Sequence, residues 1–192
     1  MNRWKKGLAV SLLVASIFLQ GTALVAADME GLLGEIKAYD YGQSRENLTK
    51  ISDIIREAGT DATALGGIEK QLAAFLDTDA TFAAKQFVCK QLSLIGTEQS
   101  VAVLAKMLTD EKESDMARYA LERIPGDSVD SALRGALGKT KGKTQVGIIN
   151  TIAVRGDLKA VAALVKLMDS SDNMVASAVS YTHLTLPTNR EV

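Results

Sequence analysis

The stretch Leu94-Ile95-Gly96-Thr97-Glu98-Gln99-Ser100-Val101-Ala102-Val103-Leu104 holds the end of one helix, a turn and the start of the next. Gly96 stands just past the last apolar residue of the first helix, a place where φ > 0 is often needed, and Thr97 behind it is a good N-cap. The same pair of roles returns at Gly126-Asp127 and Gly156-Asp157, at intervals of thirty residues.

Working outward, the apolar spacing is helical nearly throughout residues 28–178. Breaks fall at Gly42, Gly59, 77–79, Gly96, 110–113, Pro125-Gly126, 139–143, Gly156 and 170–172, and predict helices of about 11–17 residues between them. Every other helix carries an apolar i, i+3, i+7 set on one face: Leu65, Ile68 and Leu72; Val101, Leu104 and Leu108; Val129, Ala132 and Ala136; Val161, Leu164 and Met168. A period of this length predicts stacked helix pairs, paired across the Gly turns. One such pair cannot bury both of its apolar faces, so neighbours must cover each other. Residues 28–58 depart from the repeat and predict two helices, 29–40 and 44–58, as an N-terminal helical cap.

Composition agrees. Hydrophobic residues make up 47% of the 192 but aromatics only 5%, so the apolar content is mostly Ala, Leu, Val and Ile, which suits close-packed helices better than a β-sandwich. Two prolines leave long helices possible. The one cysteine, Cys89, excludes an internal disulfide and lies in the apolar run Phe87-Val88-Cys89, where it reads as a small core residue.

The segments 94–104 and Met116-Ala117-Arg118-Tyr119-Ala120-Leu121-Glu122-Arg123-Ile124 resemble bacterial HEAT repeats, and are similar to the HEAT-like repeats of phycobilisome lyases. The resemblance covers roughly residues 60–178. It implies an all-α fold, an α-solenoid (superhelix) of about four HEAT-like antiparallel helix pairs over 59–178, and usually a protein-binding scaffold. By the same analogy such repeats occur beside cytochrome-like or sugar-active modules, or serve chromophore proteins as lyases or chaperones.

The two ends read differently from the middle. Met1-Asn2-Arg3-Trp4-Lys5-Lys6, an apolar run over 8–25 and the small residues before Asp28 describe a secretory signal peptide over 1–27, cleaved after Ala27. The alternative is a membrane anchor, an uncleaved N-terminal helix. At the other end Val179-Ser180-Tyr181-Thr182-His183-Leu184-Thr185-Leu186-Pro187-Thr188 breaks the helical pattern. It resembles the translation of a transposase-type sequencing adapter. That implies an artefactual tail over 179–192 and repeats truncated after 178. The chain's one histidine, His183, falls in this tail. The segment 28–178 is left with a modest excess of acid and no general pull toward nucleic acid.

Several short motifs are weaker than they look. Gly138-Lys139-Thr140 and Gly142-Lys143-Thr144 lack the glycine a phosphate loop needs five residues earlier, where Leu133 and Leu137 stand. Arg155-Gly156-Asp157 spells an adhesion tripeptide but sits where a helix stop and an N-cap are due. Asn47-Leu48-Thr49 is a sequon inside a helical pattern, and residues 110–115 lack the glycine and spacing of a calcium loop. With no histidine before the tail and no nucleophile elbow, no catalytic, cofactor or metal site is expected.

One series does point to function. Lys70, Lys106, Arg134 and Lys166 each stand five residues after a repeat start, and in a solenoid such positions recur along one surface. They form a possible partner-binding ladder for an acidic partner or an anionic polymer, the alternative being that Lys and Arg simply suit exposed helix positions. The expectation is an exported scaffold, periplasmic or extracellular, that binds protein, catalyses nothing, needs no cofactor, and engages neither nucleic acid nor, after signal cleavage, a membrane. The alternative is an accessory repeat domain of a larger exported enzyme or c-type cytochrome-like protein, with its active module missing from this chain.

Overall fold

The computed structural model describes residues 28–185, with side chains through residue 182, so the signal peptide read over 1–27 and residues 186–192 lie outside the described residues. The described chain is all-helical. Helix α1 covers residues 28–36, followed by α2 (Glu46–Ala58), α3 (Ala62–Leu76), α4 (Phe82–Ile95), α5 (Glu98–Met107), α6 (Ser114–Leu121), α7 (Asp127–Leu137) and α8 (Gly142–Arg155). A 3-10 turn (Leu158–Ala160) leads into α9 (Val161–Leu167), and α10 (Asn173–Thr185) follows. No helix among the described residues is long and apolar enough to cross a membrane.

The helices pack in two rows. In one, α3 lies against α5 and α5 against α7; in the other, α4, α6, α8 and α10 follow one another. The rows are joined by α3 on α4, α5 on α6, α7 on α8 and α9 on α10. This shifts the expected pairing by one helix. The helices that lie side by side are joined by the linkers 77–81, 108–113, 138–141 and 168–172. Those joined at Gly96, Gly126 and Gly156 touch little. A linker of four to six residues gives the chain room to return antiparallel. The two-residue link at Gly96-Thr97 brings α4 and α5 together only where they adjoin.

The i, i+3, i+7 sets face inward as the spacing requires. Ile68, Leu72, Val101, Leu104, Leu108, Val129, Ala136 and Leu164 are all buried, in one continuous core with the even-numbered helices. Leu65, Ala132 and Val161 are half-buried, and Met168 is exposed, on α9, which packs mainly on α10.

Three local expectations are corrected. Helix α1 stops at residue 36 rather than 40, because the Lys37 carbonyl accepts from the Thr81 amide (3.0 Å) and the Tyr39 carbonyl from the Thr81 hydroxyl. Those contacts draw the chain out of the helix to meet the start of α4. Gly96 has φ −64°, so it is not there for a left-handed turn. A Cβ on it would lie 2.4 Å from the Leu92 carbonyl oxygen and 2.7 Å from Ile124 Cδ1, so the position demands glycine for space. Finally, α10 continues to Thr185, through the segment expected to break the pattern. Val175, Val179 and Thr182 are buried at i, i+4, i+7 spacing, which gives α10 an inward stripe as it packs on α8.

Candidate functional site

Each row is stitched by polar contacts whose partners lie about thirty residues apart in sequence. Glu69 of α3 is 1% exposed. Its carboxylate accepts from the Thr97 amide (2.6 Å), the Thr97 hydroxyl (2.9 Å) and the Ser100 hydroxyl (2.6 Å), closing the N-terminus of α5 from the helix beside it. Lys85 reaches Glu113 (2.8 Å), the Glu98 carboxylate accepts from Ser128 (3.1 Å), and Arg118 donates to the Gly147 carbonyl (3.1 Å) and the Thr151 hydroxyl (3.2 Å).

Arg155 is the most heavily bonded of these groups. Its guanidinium pairs with Asp130 and donates to the carbonyls of Leu121 (3.0 Å), Ile124 (2.7 Å) and Gly126 (3.2 Å), supplying partners for the end of α6. Gly156 turns with φ +69°. Buried Asp157 accepts from the Lys159 amide (3.1 Å) and pairs with Arg134. Arg155 and Asp157 of the adhesion-like tripeptide are thus committed to internal partners, and Gly156 makes the turn between them. Asp127, expected as an N-cap, is the first residue of α7 after Gly126, and its carboxylate goes to Lys159 (3.0 Å). The sequon asparagine, Asn47, lies in α2 and donates to Glu35 (2.6 Å).

The four cations of the expected ladder do stand on α3, α5, α7 and α9, but they differ in state. Lys106 pairs with Asp77 at 2.9 Å, and Arg134 pairs with Asp157 and donates to Ser131 (3.0 Å). Lys70 and Lys166 are exposed and have no ion-pair partner among the described residues. The middle of the series therefore presents neutralised pairs, and the free charges lie at its two ends.

A feature that sequence reasoning passed over lies on the other side of α4. The chain from Tyr39 to Arg45 arches over a cleft of about 490 Å³ between α4 and α6. The cleft gathers three of the chain's four tyrosines, Tyr39, Tyr41 and Tyr119, together with Phe87. Leu48, Ala83, Cys89 and Met116 form its buried floor. The rim carries exposed Arg45, Gln86 and Lys90. The arch is held in place: the Tyr41 hydroxyl donates to Gln86 (2.7 Å), the Asp40 amide donates to Gln43 (3.0 Å), and Gly42 turns with φ +87°. Tyr119 is positioned by the Arg123 guanidinium, 4.1 Å from its ring centroid.

Only the helical parts of this cleft were legible in the sequence. Ala83, Phe87 and Lys90 share a face of α4 by i, i+4, i+7 spacing, and Asp115 and Tyr119 share one of α6. A low aromatic percentage hid the fact that the few aromatics converge. Cys89 is a free, buried thiol. Burial, and then the nearby Glu113 carboxylate, push its thiol up to about 12, so it stays protonated.

A second cleft, between α1 and α2, has the opposite character, with Asp28, Glu35, Asp53 and Glu57 around Lys50. Among the described residues no group of three or more His, Cys, Asp or Glu side chains converges as a metal site. No family model matches the chain, and searches of curated proteins and of solved structures find no match either.

Proposed function

We propose that this chain is an exported HEAT-like α-solenoid of about four helix pairs that acts as a protein-binding scaffold without chemistry of its own. Contact between alternate helices supports the solenoid reading, because a stack of hairpins places each helix beside the one two places on. So do the polar contacts between partners roughly thirty residues apart. The leader-like N-terminus supports export.

The observation that carries the binding role is the cleft beneath the Tyr39–Arg45 arch. Tyrosines are large and amphipathic, with few rotatable bonds, and they dominate binding surfaces elsewhere. Here Tyr41 is 61% exposed and Tyr119 43%, although the molecule has an ample core to bury them in. The cleft displaces the Lys106–Arg134 part of the ladder as the preferred docking face, since those two cations are already paired.

The test is site-specific photocrosslinking in cells. A photoreactive phenylalanine analogue at Gln86 should give a discrete protein adduct. The same residue at exposed Asn150 on α8 should give none. Equal labelling at both positions, or none at either, would reject a scaffold that works through the cleft. Fractionation, with N-terminal sequencing that starts at Asp28, tests export separately.

A further inference from the structure

We infer that the cleft under the Tyr39–Arg45 arch receives an acidic peptide segment carrying an aromatic or aliphatic side chain. The inference rests on the scaffold reading and names the chemistry of the partner.

Charge decides the sign of the occupant. Arg45 and Lys90 both line the cleft, are exposed, and have no ion-pair partner among the described residues. The one acid in the lining, Asp115, is engaged by Arg118. The cleft therefore offers two free positive charges in a chain whose formal net charge is −1. Ala83 and Met116 lie in the first turns of α4 and α6, so two helix N-termini add positive potential from the same side. A like-charged segment would be repelled, and an acidic one is drawn in.

The floor decides what comes with the charge. Ala83 and Met116 are buried and apolar, and Phe87 stands beside them. Rings and thioether at the base of a cleft favour an apolar side chain over a second charge. The hydroxyls of Tyr39 and Tyr119 have no hydrogen-bond partner among the described residues, which leaves two donors free for peptide carbonyls or carboxylates. A space of about 490 Å³ takes several residues of an extended chain, and its open rim lets the chain run through.

The experiment is fluorescence anisotropy of the full chain with three labelled, capped hexapeptides: alternating glutamate and phenylalanine, alternating lysine and phenylalanine, and alternating glutamate and alanine. The first should bind, and the other two should bind at least roughly tenfold more weakly. Arg45→Ala with Lys90→Ala should cost the first peptide about tenfold, while Lys139→Ala with Lys143→Ala, away from the cleft, should leave it unchanged. If the double variant misfolds, wild-type affinity must still fall as salt rises from low to high. Equal binding of the lysine peptide, full affinity in the Arg45/Lys90 variant, salt-independent binding, or no binding at about 1 mM would each overturn the inference. Crosslinks at Gln86 without acidic-peptide binding would leave the scaffold standing and remove only this occupant. Loss of both would remove the scaffold as well.

Discussion

Replacing Glu69 with alanine should unfasten α5 from α3, and the size of the effect follows from which groups lose their partners. The carboxylate accepts from the Thr97 amide and hydroxyl and from the Ser100 hydroxyl. Thr97 is exposed, so water replaces its lost acceptor at little cost. Ser100 is 0% exposed and would be left without a good acceptor, at a cost of about 1–3 kcal/mol. The apolar stem of Glu69 is lost from the interior as well, at about 0.8 kcal/mol per methylene. Relief from holding a carboxylate out of water offsets part of this. The expected destabilisation is roughly 2–4 kcal/mol, or very roughly 5–15 °C in Tm for a chain of this length.

Urea unfolding followed by far-UV circular dichroism measures it. Glu69→Gln keeps the volume but turns an amide NH₂ toward donors, so it should lose roughly 1.5–3 kcal/mol. A double-mutant cycle with Ser100→Ala should give a coupling of about 1–2 kcal/mol. Lys70→Ala, one residue along and exposed, is the control and should stay within about 0.5 kcal/mol of wild type. Because Glu69 joins neighbouring helices of one row, its loss should also broaden the transition and lower m. A Glu69→Ala cost no larger than that of Lys70→Ala, or a coupling of zero, would refute the reasoning.

Other predictions follow from single contacts. Gly96→Ala should destabilise by roughly 1–3 kcal/mol in the same urea assay, because the clash is with the Leu92 carbonyl and the backbone cannot step aside as a side-chain tip would. Cys89 should resist alkylation at pH 8 in the folded chain and react fully in denaturant; rapid labelling of folded protein would contradict its burial. Asp79, Asp110 and Asp127 are each held below the ordinary value of 3.8, the first by its hydrogen bond to Lys37, the second by the backbone N–H of Glu113, the third by its hydrogen bond to Lys159. An acid lowered by folding stabilises above its unfolded value, and the contribution is lost as pH falls through the folded one. Tm should therefore hold from neutral pH to about 4 and drop below that, and Asp110→Asn should flatten the acid limb.

Much of the fold was legible because period and punctuation agree. Breaks read at Gly59, 77–79, Gly96, 110–113, 125–126, Gly156 and 170–172 fall between helices, whereas the break read at 139–143 runs two residues too far, since α8 already starts at Gly142. Failures came where a distant partner outbid the local pattern. Residues 37–40 look helical by spacing, but the start of α4 claims their carbonyls. Residues 179–185 look by spacing like a break in the helical pattern, yet Val179 and Thr182, spaced from Val175 at i+4 and i+7, continue the inward stripe of α10. The ladder was readable as positions but not as free charge, since nothing local to Lys106 or Arg134 announces Asp77 or Asp157. The cleft was harder still: its aromatics come from an arch and two helices separated by tens of residues, and only folding sums them.

The stitches between neighbouring helices argue that the helices of each row are not interchangeable parts. Each junction keeps a similar sequence interval, 28 to 34 residues, but uses different chemistry. A buried carboxylate caps α5 from α3, an ion pair ties α4 to the linker before α6, and arginines reach between α6 and α8 in both directions. Apolar packing alone would tolerate a hairpin slipping by one turn, because leucine, valine and isoleucine faces are alike. A glutamate with no donors, or an arginine facing no carbonyl, would not tolerate it. Gly147 makes the same point sterically, since a Cβ there would lie 2.5 Å from the Arg118 guanidinium. The polar set thus fixes one register at each junction, and register is what a surface cleft needs. Tyr41, held by Gln86 of α4, and Tyr119 of α6 line one cleft only while α4 and α6 hold their present alignment, so the unlike interfaces and the binding surface are two consequences of one constraint.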